Sequence, residues 1–221
     1  MEIKQPHSLL GQKLMEIFNL LYDAFGPRHW WPGDSPFEVI VGAILTQNTT
    51  WKNVEKAINN LKRANLLEPK ALYRLPYEIL VDLIHPVGFF NIKAKRLKAF
   101  LNFLFEEFQG NLEEMFSLEM EGLRKKLLSI PGIGPETADS ILLYAGGKPS
   151  FVVDAYTRRI LSRHGLIHEE ASYEEIRELF MDHLPSDVGL FNEYHALLVE
   201  LGKRFCKTKP HCKGCPLEVF E

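Results

Sequence analysis

The chain has 221 residues, 46% of them hydrophobic and 25% charged, with a formal net charge of -3. That is globular composition, with enough length to bury one large core or two small ones. No apolar run approaches the roughly 20 residues of a membrane span, and the N-terminus lacks the basic-then-apolar layout of a signal peptide, so an intracellular, cytoplasmic protein is expected.

From the N-terminus onward, apolar residues recur at three- and four-residue spacing over 9–25, 37–47 and 51–66, which predicts three helices, with a Pro/Gly-rich connection at 26–36. A second connection at 85–89 leads to a helix over 94–108, in a stretch that carries Lys93, Lys95, Arg96 and Lys98 without an acid. Acidic residues collect over 106–122 and again over 168–178, as on solvated helix faces and loops. Helical periodicity resumes over 123–130 and 137–145, interrupted at 131–135 by Pro-Gly-Ile-Gly-Pro. A Gly/Pro-containing loop at 146–150 then enters an extended stretch that closes on Asp154, which is placed to cap a helix that Gly165 ends. After a connection at 184–187, the helix over 194–205 runs into a second basic patch of Lys203, Arg204, Lys207, Lys209 and Lys213, again without an acid. Nothing long alternates with period two, so the predicted class is all-α. No fixed-period repeat, low-complexity tract or long linker is visible; if there are two domains, the chain passes between them more than once.

Within 123–145 a short helix ends at Pro131, turns through Gly132, Ile133 and Gly134, and restarts near Pro135. Proline suits a first helical turn, and glycines let something outside approach the backbone closely. The amides at the positive end of the second helix make an anion site that a phosphate diester fits. Ile133 is expected to point inward and anchor the turn. A tight helix-turn-helix without any ligand has the same local signature, so this Gly-x-Gly leaves both readings open. Asp154 is equally open by position alone, between a simple cap and a chemical role.

The order of this hairpin, the loop at 146–150 and Asp154 resembles the helix-hairpin-helix, Gly/Pro-rich-loop, aspartate motif of the endonuclease III superfamily of DNA glycosylases. The resemblance covers nearly the whole chain: 37–61 is similar to the family's early helix and Gln-containing loop, 85–100 to its Gly-then-Lys-Ala segment, and 197–217 to its iron–sulfur tail. It implies two helical domains flanking a DNA-binding cleft, one over 32–147 with six helices and the hairpin, the other formed by 1–31 with 148–221. It also implies damaged double-stranded DNA as partner, no membrane, and a monomer.

Such an enzyme takes its base out of the duplex before breaking the glycosidic bond. By resemblance, Asp154 is the catalytic carboxylate, stabilising an oxocarbenium-like sugar or orienting water. Gly132, Ile133 and Gly134, with Lys93, Lys95 and Arg96, are implied to hold backbone phosphates. Gln47 and Asn48 look like the family's inserted wedge. Bifunctional members place a nucleophilic lysine where this chain has Glu136, and a carboxylate forms no Schiff base. Monofunctional hydrolysis is therefore implied, and Lys148 reads as a surface loop lysine. Trp31, Pro32 and Trp51 resemble the base pocket of the 3-methyladenine glycosylase branch, where aromatics stack on a cationic alkylated purine by a term of roughly 0.5–2 kcal/mol; Trp30 reads as core. Two alternatives stay open: a glycosylase/lyase for oxidised pyrimidines, and a non-catalytic hairpin DNA-binding protein in which Asp154 is only a cap.

All three cysteines, Cys206, Cys212 and Cys215, lie in the tail, and the odd count argues against disulfides in an intracellular chain. A four-thiolate iron–sulfur site would place its last ligand at Glu221, the final residue. A [4Fe–4S] cluster completed by Glu221, the terminal carboxylate, His211 or no protein group, a loop that has lost its metal, and a zinc site with His211 all remain open.

Overall fold

The structure is a computed structural model and describes residues 8–220. Among them there are twelve α-helices and no strand, as the absence of period-two alternation predicts. The chain divides into two compact units, Pro32–Gly146 and the described residues on either side of it, up to Trp31 and from Gly147 onward. No helix among the described residues is long and apolar enough to cross a membrane.

The inner unit is built around α2 (Pro36–Leu45), which is buried from Phe37 to Leu45 and apolar there but for Gly42 and the buried Glu38. Ser35 caps it by accepting from the Glu38 amide at 3.2 Å, and Pro36 starts it. Around α2 pack α3 (Trp51–Arg63), α6 (Phe90–Phe108), α9 (Pro135–Ser140) and the π-helical turn Ile141–Ala145 that continues α9. Helices α4 (Pro69–Arg74), α5 (Tyr77–Ile84), α7 (Leu112–Ser117) and α8 (Met120–Leu128) complete the unit. Of these, α4 and α7 have six residues each, too few turns for a periodic apolar stripe. That is why helical spacing in the sequence does not announce them.

The outer unit packs α1 (Leu9–Phe25) against α11 (Tyr173–His183) and α12 (Val188–Arg204), and α10 (Ala155–Arg163) against α12. Its core centres on Phe151, whose ring stacks on Phe180 at 3.6 Å and meets Phe191 and Tyr194 edge-on. The buried Tyr194 hydroxyl donates to the Leu14 carbonyl at 2.7 Å, tying α12 to α1 without leaving a polar atom unmet. The stretch 150–154 is extended and buried up to Val153. It carries no ladder, so the strand-like letters serve burial instead of a sheet. Helix α11 starts within the acidic region 168–178, with a capping box of Ser172 and Glu175 at its beginning, and the buried Ile176, Arg177 and Phe180 anchor it.

Candidate functional site

Two groups of candidate residues lie in different units, and each is set by local rules. In the inner unit the hairpin between α8 and α9 is braced from beneath by Arg124 and Asp139. The guanidinium donates twice to the carboxylate, from Nε at 2.8 Å and Nη2 at 3.0 Å. The pair is 8% and 0% exposed, a fork geometry that satisfies both buried charges at once. Ile133 is buried, as expected for an anchor.

The two hairpin glycines do different work. Gly132 has φ +88°, and a Cβ there would sit 2.7 Å from Nε and 2.8 Å from Cδ of Arg96, so the turn needs glycine both for its backbone and for the arginine stem laid across it. Gly134 has φ -90° and ψ 178°, which any residue adopts, and nothing lies within 4 Å of the position its Cβ would take. It is the N-cap of α9, so the outer face of the hairpin there is bare backbone.

Gln47, just past the C-cap of α2, is bound into this hairpin. Its Nε2 donates to the Gly132 carbonyl at 3.1 Å and to Thr137 Oγ1 at 2.9 Å, and its Oε1 accepts from Arg96. Asn48 is exposed in the left-handed region, φ +52°. Glu136 is exposed in the first turn of α9.

The basic patch in α6 requires a correction. Lys93 is 1% exposed and its Nζ donates to the Val87 carbonyl at 2.9 Å, so it cannot reach a phosphate outside the unit. Burial, with Arg96 nearby, pulls its pKa down to about 8. Lys98 is likewise spent internally, donating to the carbonyls of Leu72 and Leu75 at 2.7 and 2.6 Å at the end of α4. Lys95 alone of the three lysines faces solvent. The second patch behaves differently: Lys203, Arg204, Lys207, Lys209 and Lys213 are all exposed. Next to the first patch, Phe89 is 70% exposed at φ +46° before α6; no spacing in the sequence distinguishes it from its buried neighbours.

In the outer unit Asp154 caps α10, its Oδ1 accepting from the Thr157 amide at 2.7 Å. Its Oδ2 lies 3.6 Å from Nε2 of His195 on α12, just beyond hydrogen-bond length and within ion-pair reach of a protonated imidazole, with the two side chains 13% and 7% exposed. Burial pushes the Asp154 carboxyl up, but His195 and the Thr157 amide outweigh that and hold it below the ordinary carboxylate value. His195 escaped the sequence reading because a histidine inside an apolar helical run has the look of any core residue.

Trp31 belongs to the outer unit, Pro32 and Trp51 to the inner one. The Trp30 and Trp31 rings meet edge-to-face at 5.5 Å, and Lys203 Nζ lies 5.6 Å over Trp30. Trp51 is half-buried against the inner core, and Pro32 is exposed.

The three thiols are free, with Cys206 buried, Cys215 half-buried and Cys212 exposed. Cys206 Sγ accepts from Arg163 Nη1 at 3.2 Å. Among the described residues no group of three His, Cys, Asp or Glu side chains is placed to hold a metal ion, and Glu221 lies outside them. As described, these thiols do not assemble a cage for a cluster, and no chemical step is assigned to one.

The family model of the HhH-GPD superfamily base excision DNA repair protein matches residues 41–186, a span that contains the hairpin, Asp154 and the loop between them. Over 211 residues the chain is 51% identical to "Putative DNA repair glycosylase MJ1434" of Methanocaldococcus jannaschii, covering 95% of this chain and 96% of that one. It is 33% identical over 184 residues to endonuclease III of Thermotoga maritima, covering 83% and 81%. In structure it is similar to Helicobacter pylori 3-methyladenine DNA glycosylase (MagIII) bound to 1,N6-ethenoadenine, with TM-score 0.75 and 30% identity over 86% of this chain and 97% of that one. The all-helical fold, the hairpin and the capping aspartate thus occur together in a chain that belongs to the HhH-GPD superfamily of base excision DNA repair proteins.

Proposed function

We propose that this protein is a monofunctional DNA glycosylase that hydrolyses the N-glycosidic bond of a flipped, alkylated purine such as 3-methyladenine in double-stranded DNA. The observation that carries the reading is Asp154, a nearly buried carboxylate fixed at a helix N-terminus with a histidine beside it. Breaking the glycosidic bond leaves positive charge on the sugar, and a fixed anion beside it stabilises that charge far better than one that must first reorganise. An alkylated purine is itself cationic and leaves without being protonated, so a carboxylate with no separate general acid is sufficient. The bare backbone at Gly134 suits a phosphate at the N-terminus of α9, with Lys95 adding charge. Gln47 and the exposed Phe89 are candidates for filling the space the base vacates.

Glu136 supports hydrolysis without strand cleavage, since the first turn of α9 offers a carboxylate where lyase chemistry needs an amine. The alkylated-purine assignment draws on the likeness to MagIII and on half-buried Trp31 and Trp51 as stacking surfaces. A second reading, a glycosylase/lyase for oxidised pyrimidines, draws on the endonuclease III relative. The test is release of modified bases from methylated and from oxidised duplex DNA side by side, with borohydride added to parallel samples. Release of methylated purines without a covalent adduct is expected. Preferential release of oxidised pyrimidines, or a trapped adduct, would favour the second reading.

A further inference from the structure

Asp154 and His195 stand on different helices of one unit, and their meeting depends on how closely those helices approach. Residues seven apart on an α-helix lie about two turns apart on the same face, so His195 and Gly202 share a face of α12. At Gly202 that face meets Tyr156, two residues past Asp154 in the chain: a Cβ on Gly202 would sit 2.7 Å from Tyr156 Cγ. The absent side chain lets α12 close onto α10, and two turns away His195 reaches to 3.6 Å from Asp154 Oδ2. Capping α10 does not call for this. One carboxylate oxygen suffices for an N-cap, and Oδ1 already serves the Thr157 amide at 2.7 Å.

We propose that His195 is a positioning residue for Asp154, holding the second carboxylate oxygen so that the group is fixed in rotation, without itself touching sugar or base. This rests on the catalytic reading of Asp154 given above. The neighbouring charges are turned to other partners. Arg158 and Arg159 of α10 donate to the carbonyls of Ala171 and Cys206. Glu193 of α12 accepts from the Arg28 amide, and Glu200 pairs with Arg28 and Arg204. The buried face that α1 offers to this unit is apolar, with Leu14, Ile17 and Leu21 fully covered. Among the described residues of these helices, His195 is the ionisable group that the structure places against Asp154.

The experiment compares full-length wild type, His195→Leu, His195→Gln and Asp154→Asn. Three quantities are read: single-turnover base release from methylated duplex, affinity for the abasic product duplex, and the Asp154 carboxyl titration by carbon-13 NMR in the free protein. His195→Leu should slow release by about 10–100-fold, as loss of an orienting partner does elsewhere, with product affinity within about twofold. His195→Gln, which keeps an N–H donor at similar reach, should recover most of the rate. The Asp154 midpoint should rise in the Leu variant and much less in the Gln variant. Release by His195→Leu within twofold of wild type, or an unmoved Asp154 midpoint, overturns the proposal. Should His195→Leu fail to fold, the Gln variant's rate and midpoint decide: a loss equal to that of Asp154→Asn means that an N–H donor does not serve and overturns it. If wild type releases no base from any substrate, the glycosylase reading fails, and the Asp154 midpoint in the His195 variants still decides the pairing.

Discussion

Substituting the two hairpin glycines separately distinguishes a folded turn from a DNA-binding turn. At Gly134 the backbone is extended and the space beyond it is open. Alanine there gains about 0.4–1 kcal/mol from the unfolded state and gives up a similar amount because alanine is a poorer N-cap than glycine. The net change should lie within about 1 kcal/mol of zero, a Tm shift of no more than about 3 °C for a chain of this size. The new methyl, however, stands where a phosphate would meet bare backbone, so affinity for a duplex carrying an abasic site should fall by about tenfold or more, equivalent to 1.4 kcal/mol. At Gly132 the prediction reverses. An L-residue at φ +88° costs about 1–2 kcal/mol, and Arg96 must also leave its place across the turn and its bond to Gln47, for a total of roughly 2–4 kcal/mol. Thermal denaturation and fluorescence anisotropy on the same preparations read both quantities. Gly134→Ala binding as wild type does would refute the assignment of this face to DNA; a Tm loss equal to that of Gly132→Ala would refute the geometric argument beneath it.

The remaining predictions concern charge and the tail. Lys95→Ala should lower the slope of log affinity against log salt by about 0.9, the value of one phosphate contact, with Tm unchanged. Lys93→Ala should leave the slope alone and lose roughly 1–3 kcal/mol of stability, because the buried Val87 carbonyl loses its donor; the opposite pattern would restore Lys93 as a phosphate contact. Asp154→Asn should abolish most base release, by about a hundredfold or more, while a binding assay on product duplex stays near wild type. A carboxyl held below its ordinary value stabilises fully above about 3.8 and loses that contribution as pH falls through the folded value. The stability gap between wild type and Asp154→Asn, measured by urea unfolding, should therefore narrow in acid, and a gap constant with pH would contradict the ionised pairing. Cys212→Ser, at an exposed thiol outside any donor group among the described residues, should leave stability and base release within about twofold. Protein purified anaerobically should show no stoichiometric iron; four irons per chain would mean that the thiols assemble in a way the described geometry does not.

Much of this protein is legible from its letters, for reasons that are local. Helices α1, α2, α3, α6 and α12 carry apolar residues at helical spacing over stretches long enough to be read. Gly132 and Gly134 announce the turn, Asp154 the start of α10 and Gly165, at φ +67°, its end, since caps and turns depend on residues adjacent in sequence. The order of those signals sufficed for the resemblance to the superfamily. What only the tertiary structure decided involves side chains brought together from far apart. Lys93, Lys95 and Lys98 are three like letters in one helix, yet two end on buried carbonyls and one faces water, because their fates depend on which neighbours lie across the helix. Gln47 meets Arg96 and Gly132, and Arg124 grips Asp139, through packing that no spacing encodes. His195 reaches Asp154 across 41 residues because α12 lacks a side chain at Gly202 where α10 presses against it. Periodicity and capping are properties of a single stretch of chain, whereas a carboxylate's ionisation and a lysine's exposure belong to the packed arrangement around them.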